Sequence, residues 1–304
     1  MRYTPPKLVK GDKIAIAASA RKISMDELAP AIKIFESWGL EVILHPDLFA
    51  VDNQFAGNDA IRANVLNTYL KEDEIKAIIF ARGGYGTVRI IDDVDFSGLI
   101  NKPKWLIGYS DITVIHSHVN VNGSINTLHA TMPINMQLHN ANYSSIDALR
   151  NVLFDENDVG YQIPQNSLNR FGIATAEVVG GNLSVLFSLL GSKSDLDTNG
   201  KILFIEDLDE YLYHIDRMMQ ALKRAGKLNN LAGLIVGGLS DMRDNTVPFG
   251  LNAEQIIANT VREYNYPVVF NFPIGHLDVN LPLLIGGKYC LSVAQEIKLN
   301  LSRN

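Results

Sequence analysis

Through the first half of the chain, short apolar runs of strand length alternate with segments of helical periodicity, which leaves few folds open. Residues 13–18 form a compact apolar run. Residues 25–38 then carry apolar side chains at helical spacing, with Ser24 as an N-cap and Gly39 as a stop. Residues 41–45 read as a second strand, 60–70 as a second helix, and 77–81 as a third strand running into a glycine-rich turn and the segment 87–94. A fourth strand over 105–108 passes at once into a helical stretch, 111–119, and 124–129 suit a fifth. Such alternation predicts a parallel sheet covered by helices on both faces.

Composition agrees with an α/β protein. Of 304 residues, 47% are hydrophobic and 20% charged, enough for a sizeable core without disulfides or metals. The single cysteine, Cys290, excludes a disulfide scaffold and any cysteine-rich zinc or iron–sulfur site. No apolar run approaches the roughly 20 residues of a membrane span and the start lacks a signal-peptide core, so a soluble, cytoplasmic protein is expected. The net charge of −6 is spread along the chain, which argues against nucleic acid or an anionic membrane as partner.

A polar, turn-rich stretch near 155–172 interrupts the pattern. It divides the chain into an expected N-terminal domain, 1–155, a linker, 156–172, and a C-terminal domain, 173–304. Beyond the linker, strands at 174–179, 202–205, 234–236, 268–270, 283–285 and 289–293 are interspersed with helices at 183–190, 211–225 and 253–264.

The most informative segment is Lys104-Trp105-Leu106-Ile107-Gly108-Tyr109-Ser110-Asp111-Ile112-Thr113. An apolar strand ends at Gly108, Ser110 sits on the turn, and a helix begins immediately. This is the layout of a nucleophile elbow, which lifts a hydroxyl out of the sheet. The next backbone N–H and the positive helix end then face a developing oxyanion. Ile112 replaces the last glycine of G-x-S-x-G, and Ser110 with Asp111 equally suit a plain helix cap. Arg82-Gly83-Gly84-Tyr85-Gly86, directly after the third strand, permits close backbone approach by a ligand. Its amides suit an oxyanion hole or a phosphate cradle, and the segment also reads as a tight turn.

A serine nucleophile needs a base, and the base needs an orienting group. Among seven histidines, His116 and His118 point to different helix faces, while His45, His129, His139 and His214 lack partner motifs. His276 follows an apolar strand in a loop bounded by Gly275 and Pro282, a place suited to chemistry. Glu206 and Asp207 end another apolar strand. With Asp209 and Glu210 they also form an acidic cluster that admits a cation reading, but its spacing is not that of an EF-hand. The order Ser110, Glu206, His276 is nucleophile, acid, base, as in α/β-hydrolases.

Together, Arg82-Gly83-Gly84-Tyr85-Gly86, Ile107-Gly108-Tyr109-Ser110-Asp111-Ile112-Thr113, Gly180-Gly181-Asn182-Leu183, Leu203-Phe204-Ile205-Glu206-Asp207 and Pro273-Ile274-Gly275-His276 resemble the LD-carboxypeptidase family. This is serine peptidase family S66, which also contains the microcin C immunity peptidases. The motifs run in the family's order from residue 82 to residue 276.

The resemblance implies a flavodoxin-like, parallel-sheet N-terminal domain and a smaller, swivelling β/α C-terminal domain with the site in the cleft. It implies a triad of Ser110, Glu206 and His276, and an oxyanion hole from the Asp111 amide and that of Gly83 or Gly84. Arg82, Tyr85 and Asn182 are expected on the substrate. Gly180 and Gly181 suit either room for substrate in the cleft or a structural turn. The implied substrate is the murein tetrapeptide, cut between the L-centre of a diamino acid and the terminal D-alanine during cytoplasmic wall recycling. No cofactor or metal is expected, and a homodimer is compatible. Two other readings stand beside it: hydrolysis of peptidyl-nucleotide antibiotics of the microcin C type, and a nucleotide or phosphate binder using the 82–86 turn. A cysteine-dependent amidotransferase fails on position, since Cys290 lies in a C-terminal β run.

Overall fold

The computed structural model describes residues 3–123, 125–137, 139, 141–154 and 160–302. Residues 155–159, the last residue of the expected N-terminal domain and the start of the expected linker, and Ser124, at the start of the expected fifth strand, lie outside them. The first half runs β1 (Lys13–Ala17), α1 (Met25–Ser37), β2 (Glu41–Leu44), α2 (Asp59–Lys71), β3 (Ile75–Phe80), α3 (Thr87–Ile90), β4 (Trp105–Gly108), α4 (Thr113–Asn122), β5 (Thr127–His129) and α5 (Tyr143–Phe154). The second runs β6 (Gly160–Ile163), β7 (Gly172–Asn182), α6 (Leu183–Ser188), β8 (Ile202–Leu208), α7 (Leu212–Arg224), β9 (Gly233–Ser240), α8 (Ala253–Thr260), β10 (Val268–Val269), β11 (Leu283–Ile285), β12 (Lys288–Val293) and β13 (Ile297–Leu301).

Local signals explain most boundaries. Ser24 and Glu27 close a capping box at the start of α1. In α7, Ile215, Met218, Met219 and Leu222 recur at i, i+3, i+4 and i+7, and all four are buried. Along β1, Ile14 and Ile16 enter one core cluster while Ala15 and Ala17 enter another, the two-residue period of a strand covered on both faces.

The first sheet has the order β11-β5-β4-β3-β1-β2. Its five parallel strands follow the flavodoxin order 2-1-3-4-5, which places a topological switch point between β1 and β3. The second sheet, β10-β9-β8-β7-β12-β13-β6, is parallel from β10 to β7 and antiparallel from β7 to β6. One core cluster joins the sheets, since Ile14, Ile107, Phe204 and Leu283 all belong to it.

Three elements differ from expectation. Residues 160–163, within the expected linker, form an edge strand paired to β13. Leu283–Ile285, from the C-terminal part, adds antiparallel to β5 in the first sheet. Tyr143–Phe154 forms a helix where none was expected. Among the described residues no helix is long and apolar enough to cross a membrane.

Candidate active site

One wall of the site is built from strand ends of the first sheet. β4 ends at Gly108, Tyr109 continues extended, and Ser110 turns to φ 65° at the start of a 3₁₀ turn, Ser110–Ile112, that feeds α4. A side chain in this left-handed region costs about 1–2 kcal/mol, so the surroundings must hold it there. Asp111 is one tie: its Oδ2 accepts the Thr87 backbone N–H at 2.9 Å, and burial pushes its carboxyl up despite that bond. His116 is another. It is fully buried, which lowers it to about 4 and leaves it neutral. Its Nε2 lies 2.8 Å from the Gly108 carbonyl, which only accepts, so that nitrogen carries the proton and Nδ1 accepts from Thr127 Oγ1 at 2.8 Å. His116 is thus a brace beneath the elbow.

The glycine turn after β3 presses on the serine. A Cβ on Gly83 would fall 2.9 Å from Ser110 Cβ, 3.0 Å from its Oγ and 3.4 Å from the Asp111 backbone nitrogen. Any side chain there would crowd the serine, and the position lies beside both Oγ and the Asp111 amide. Arg82 Nη1 lies 3.6 Å from Glu27 Oε1, and Tyr85 is half exposed on the rim.

The facing wall comes from the second sheet. β8 delivers Glu206, with no exposed surface, and the loop after β10 delivers His276. Glu206 Oε2 lies 2.6 Å from His276 Nδ1 and accepts the His276 backbone N–H at 3.3 Å. An ionised carboxylate only accepts, so Nδ1 carries the proton and Nε2 is left as the basic nitrogen. Burial alone would lower His276; the charge and hydrogen bond of Glu206, with Asp207 behind, hold it above its ordinary range. The Tyr109 ring lies 4.8 Å from the His276 ring, so the histidine stands beside the residue preceding Ser110. Among the described residues no hydrogen bond joins Ser110 Oγ to His276; such bonds commonly tighten only when substrate binds.

The acidic cluster resolves into separate partnerships. Glu206 holds His276, Glu210 holds His214 at 2.5 Å, and Asp209 Oδ1 meets Arg243 Nε at 3.0 Å. Asp207 accepts from Asn182 Nδ2 and the Ser184 backbone N–H, each at 2.9 Å. Among the described residues no group of three or more His, Cys, Asp or Glu side chains is arranged to hold a metal.

Asn182 is therefore occupied on both ends of its amide, since its Oδ1 also caps α6 through Val185 N–H at 3.2 Å. Its backbone N–H donates to Thr113 Oγ1 at 3.0 Å, tying β7 to α4. A Cβ on Gly181 would fall 2.4 Å from that same Oγ1. Gly181 thus serves close packing of β7 on α4, and Gly180, where a Cβ would fall 1.9 Å from the Phe204 carbonyl oxygen, serves close packing of β7 on β8.

Sequence reasoning passed over Tyr109, Thr113 and Asn280. Tyr109 and Thr113 lie inside the elbow segment, where a partner had no local signature. Asn280 accepts the Gly275 N–H at 2.9 Å, a short-range loop bond that the Gly275–Pro282 spacing alone does not reveal.

Fold and candidate site together define a two-sheet α/β protein in which Ser110, Glu206 and His276 lie at or after the carboxyl ends of parallel strands from both sheets. The chain belongs to the LD-carboxypeptidase family: residues 14–130 match the model of its N-terminal domain and residues 175–291 that of its C-terminal domain. A Bacillus subtilis protein described as a probable murein peptide carboxypeptidase is 35% identical, over 97% of this chain and 93% of its own. The crystal structure of muramoyltetrapeptide carboxypeptidase from Oxalobacter formigenes superposes with a TM-score of 0.88 at 25% identity, covering 96% of this chain and 99% of that one. The microcin C7 self immunity protein shares the fold, with a TM-score of 0.89 at 18% identity over 99% of this chain and 98% of its own.

Proposed function

We propose that the protein is a serine-type LD-carboxypeptidase that releases the terminal D-alanine of murein tetrapeptide in the cytoplasm during peptidoglycan recycling. The observation that carries this reading is the 2.6 Å contact of His276 Nδ1 with buried Glu206, facing a wall on which Ser110 is held at φ 65°. In the reaction, Ser110 Oγ attacks the scissile carbonyl as His276 Nε2 takes its proton. Glu206 keeps the tautomer and stabilises the imidazolium. The amides of Asp111 and of Gly83 or Gly84 receive the oxyanion, a contribution of about 10²–10³ per donor. The imidazolium then protonates the departing amine of D-alanine, and water repeats the cycle on the acyl-enzyme.

The test is D-alanine release from murein tetrapeptide by the purified protein and by Ser110→Ala. The native protein is expected to release it and Ser110→Ala to release none while staying folded. Release that survives Ser110→Ala overturns the mechanism. Cleavage of an aminoacyl sulfamoyl adenylate in place of the tetrapeptide moves the protein to the antibiotic-hydrolysing branch.

A further inference from the structure

The switch point of the first sheet lies between β1 and β3, where open α/β sheets take their ligands. β3 leads to Gly83 and Gly84 there, and β1 leads to Arg21. The Arg21 side chain lies across the bare face of Gly84, where a Cβ would fall 2.3 Å from its Cδ and 2.4 Å from its Cγ. One residue earlier, Gly83 meets Ser110 in the same way, at 2.9 Å. The arginine stem and the elbow serine thus each pack against one of two consecutive glycines.

The loop carrying Arg21 is held on both sides. Ser19 Oγ and Thr87 Oγ1 are 2.8 Å apart in the interior, and Arg62 Nη1 donates both to the Ser19 carbonyl and to that of Gly86. The Ala20 carbonyl accepts Ala56 N–H at 3.1 Å, and Lys22 N–H donates to the Gln54 carbonyl at 3.0 Å. Such support is what a preorganised binding group requires.

Other arginines on this rim have partners. Arg62 and Arg89 both engage Asp59, and Arg82 lies 3.6 Å from Glu27. Arg21 has no carboxylate partner among the described residues. Burial, and then the charge of Arg21, push the Arg82 guanidinium down, so the two cations lie near one another while Glu27 pairs with Arg82. One positive charge on the rim of the Gly83–Gly84 turn thus has no carboxylate partner among the described residues. In a C-terminal amino acid the carboxylate carbon lies about 3–4 Å from the scissile carbonyl carbon, one residue step along the chain. An internal peptide bond presents no charge at that point.

We propose that Arg21 anchors the terminal carboxylate of the substrate and that this anchor restricts cleavage to the last residue of a peptide. The inference rests on the peptide-hydrolase reading above. A planar guanidinium can grip a carboxylate with two parallel N–H bonds, which lysine cannot.

The test compares a tetrapeptide ending in free D-alanine with the same peptide ending in D-alaninamide, using the native protein, Arg21→Met and Arg21→Lys. The native protein prefers the free acid. In Arg21→Met that preference falls about 10–150-fold for each charge-assisted bond lost, with KM changing more than kcat. Arg21→Lys recovers part of it. An unchanged preference in Arg21→Met overturns the anchor and leaves the hydrolase reading standing. Titration of the whole protein with N-acetyl-D-alanine and its amide, followed by NMR, supplies a readout without turnover. Arg21-dependent binding of the acid in a protein that cleaves no peptide keeps the anchor and sinks the hydrolase reading; binding that ignores Arg21, or none to the native protein, sinks the anchor.

Discussion

His276 Nδ1 lies 2.6 Å from Glu206 Oε2, and that carboxylate has no exposed surface. The pair joins two strand ends of the second sheet, so a ring facing Tyr109 is oriented from behind by a charge that water does not reach. Glu206 raises the proton affinity of His276 and fixes which nitrogen bears the proton.

Glu206→Gln keeps the shape and removes the charge. His276 then loses its proton at lower pH, and the acidic limb of kcat/KM moves to lower pH. Loss of the correct tautomer and of imidazolium stabilisation lowers the plateau by about 10²–10⁴-fold. Rates measured across roughly pH 4–9 check both effects, and a limb that stays in place assigns the titration to another group.

Gly83→Ala places a methyl 2.9 Å from Ser110 Cβ and 3.0 Å from its Oγ. Gly83 is not at positive φ, so the backbone tolerates alanine and the conflict is with the serine alone. Turnover is expected to fall at least tenfold, about 1.4 kcal/mol at the transition state, with little change in the melting temperature. A variant with native kcat would mean the elbow yields without cost.

The strands that carry the candidate site were legible because their patterns are local. Residues 105–108 and 283–285 read as strands with the bounds the structure has, and the apolar run before Glu206 marked a buried strand. What one strand does to another was not legible. Nothing within residues 283–285 distinguishes pairing with β5 from pairing within the second sheet, and β6 is a short edge strand whose partner, β13, lies over 130 residues away. The same holds for the site. Ser110, Glu206 and His276 each announce themselves at a strand end, whereas Arg21 gains meaning only because β1 and β3 are neighbours.

Asp207 is pushed up to about 7 by burial first and by the Glu206 charge second. Its ordinary value is 3.8, so between those limits the folded protein holds a proton that the unfolded chain has released. The resulting stabilisation is fully present below the ordinary value and is lost as pH rises through about 7. Asp207→Asn removes this titration. Its unfolding free energy is expected to vary less between acid and neutral pH than the native protein's, with a uniform loss from turning an amide N–H toward the Ser184 or Asn182 donor. Denaturant melts at several pH values check the slope.

Asn280 ties the loop that carries His276 to the first half of the chain. Its Oδ1 accepts the Gly275 N–H, and its own N–H donates to Ser145 Oγ on α5, each at 2.9 Å and each buried. Asn280→Ala strands the Gly275 donor next to His276, at a cost of about 1–3 kcal/mol. Asn280→Asp restores an acceptor. Ser145→Ala breaks only the outer link and leaves the Gly275 bond in place. If the staple positions His276, Asn280→Ala loses stability and kcat together, Asn280→Asp regains kcat, and Ser145→Ala loses stability with a smaller change in kcat. Equal kcat losses in Asn280→Ala and Ser145→Ala at matched stability would instead assign the effect to the joint with α5, because the Gly275 bond differs between those two variants.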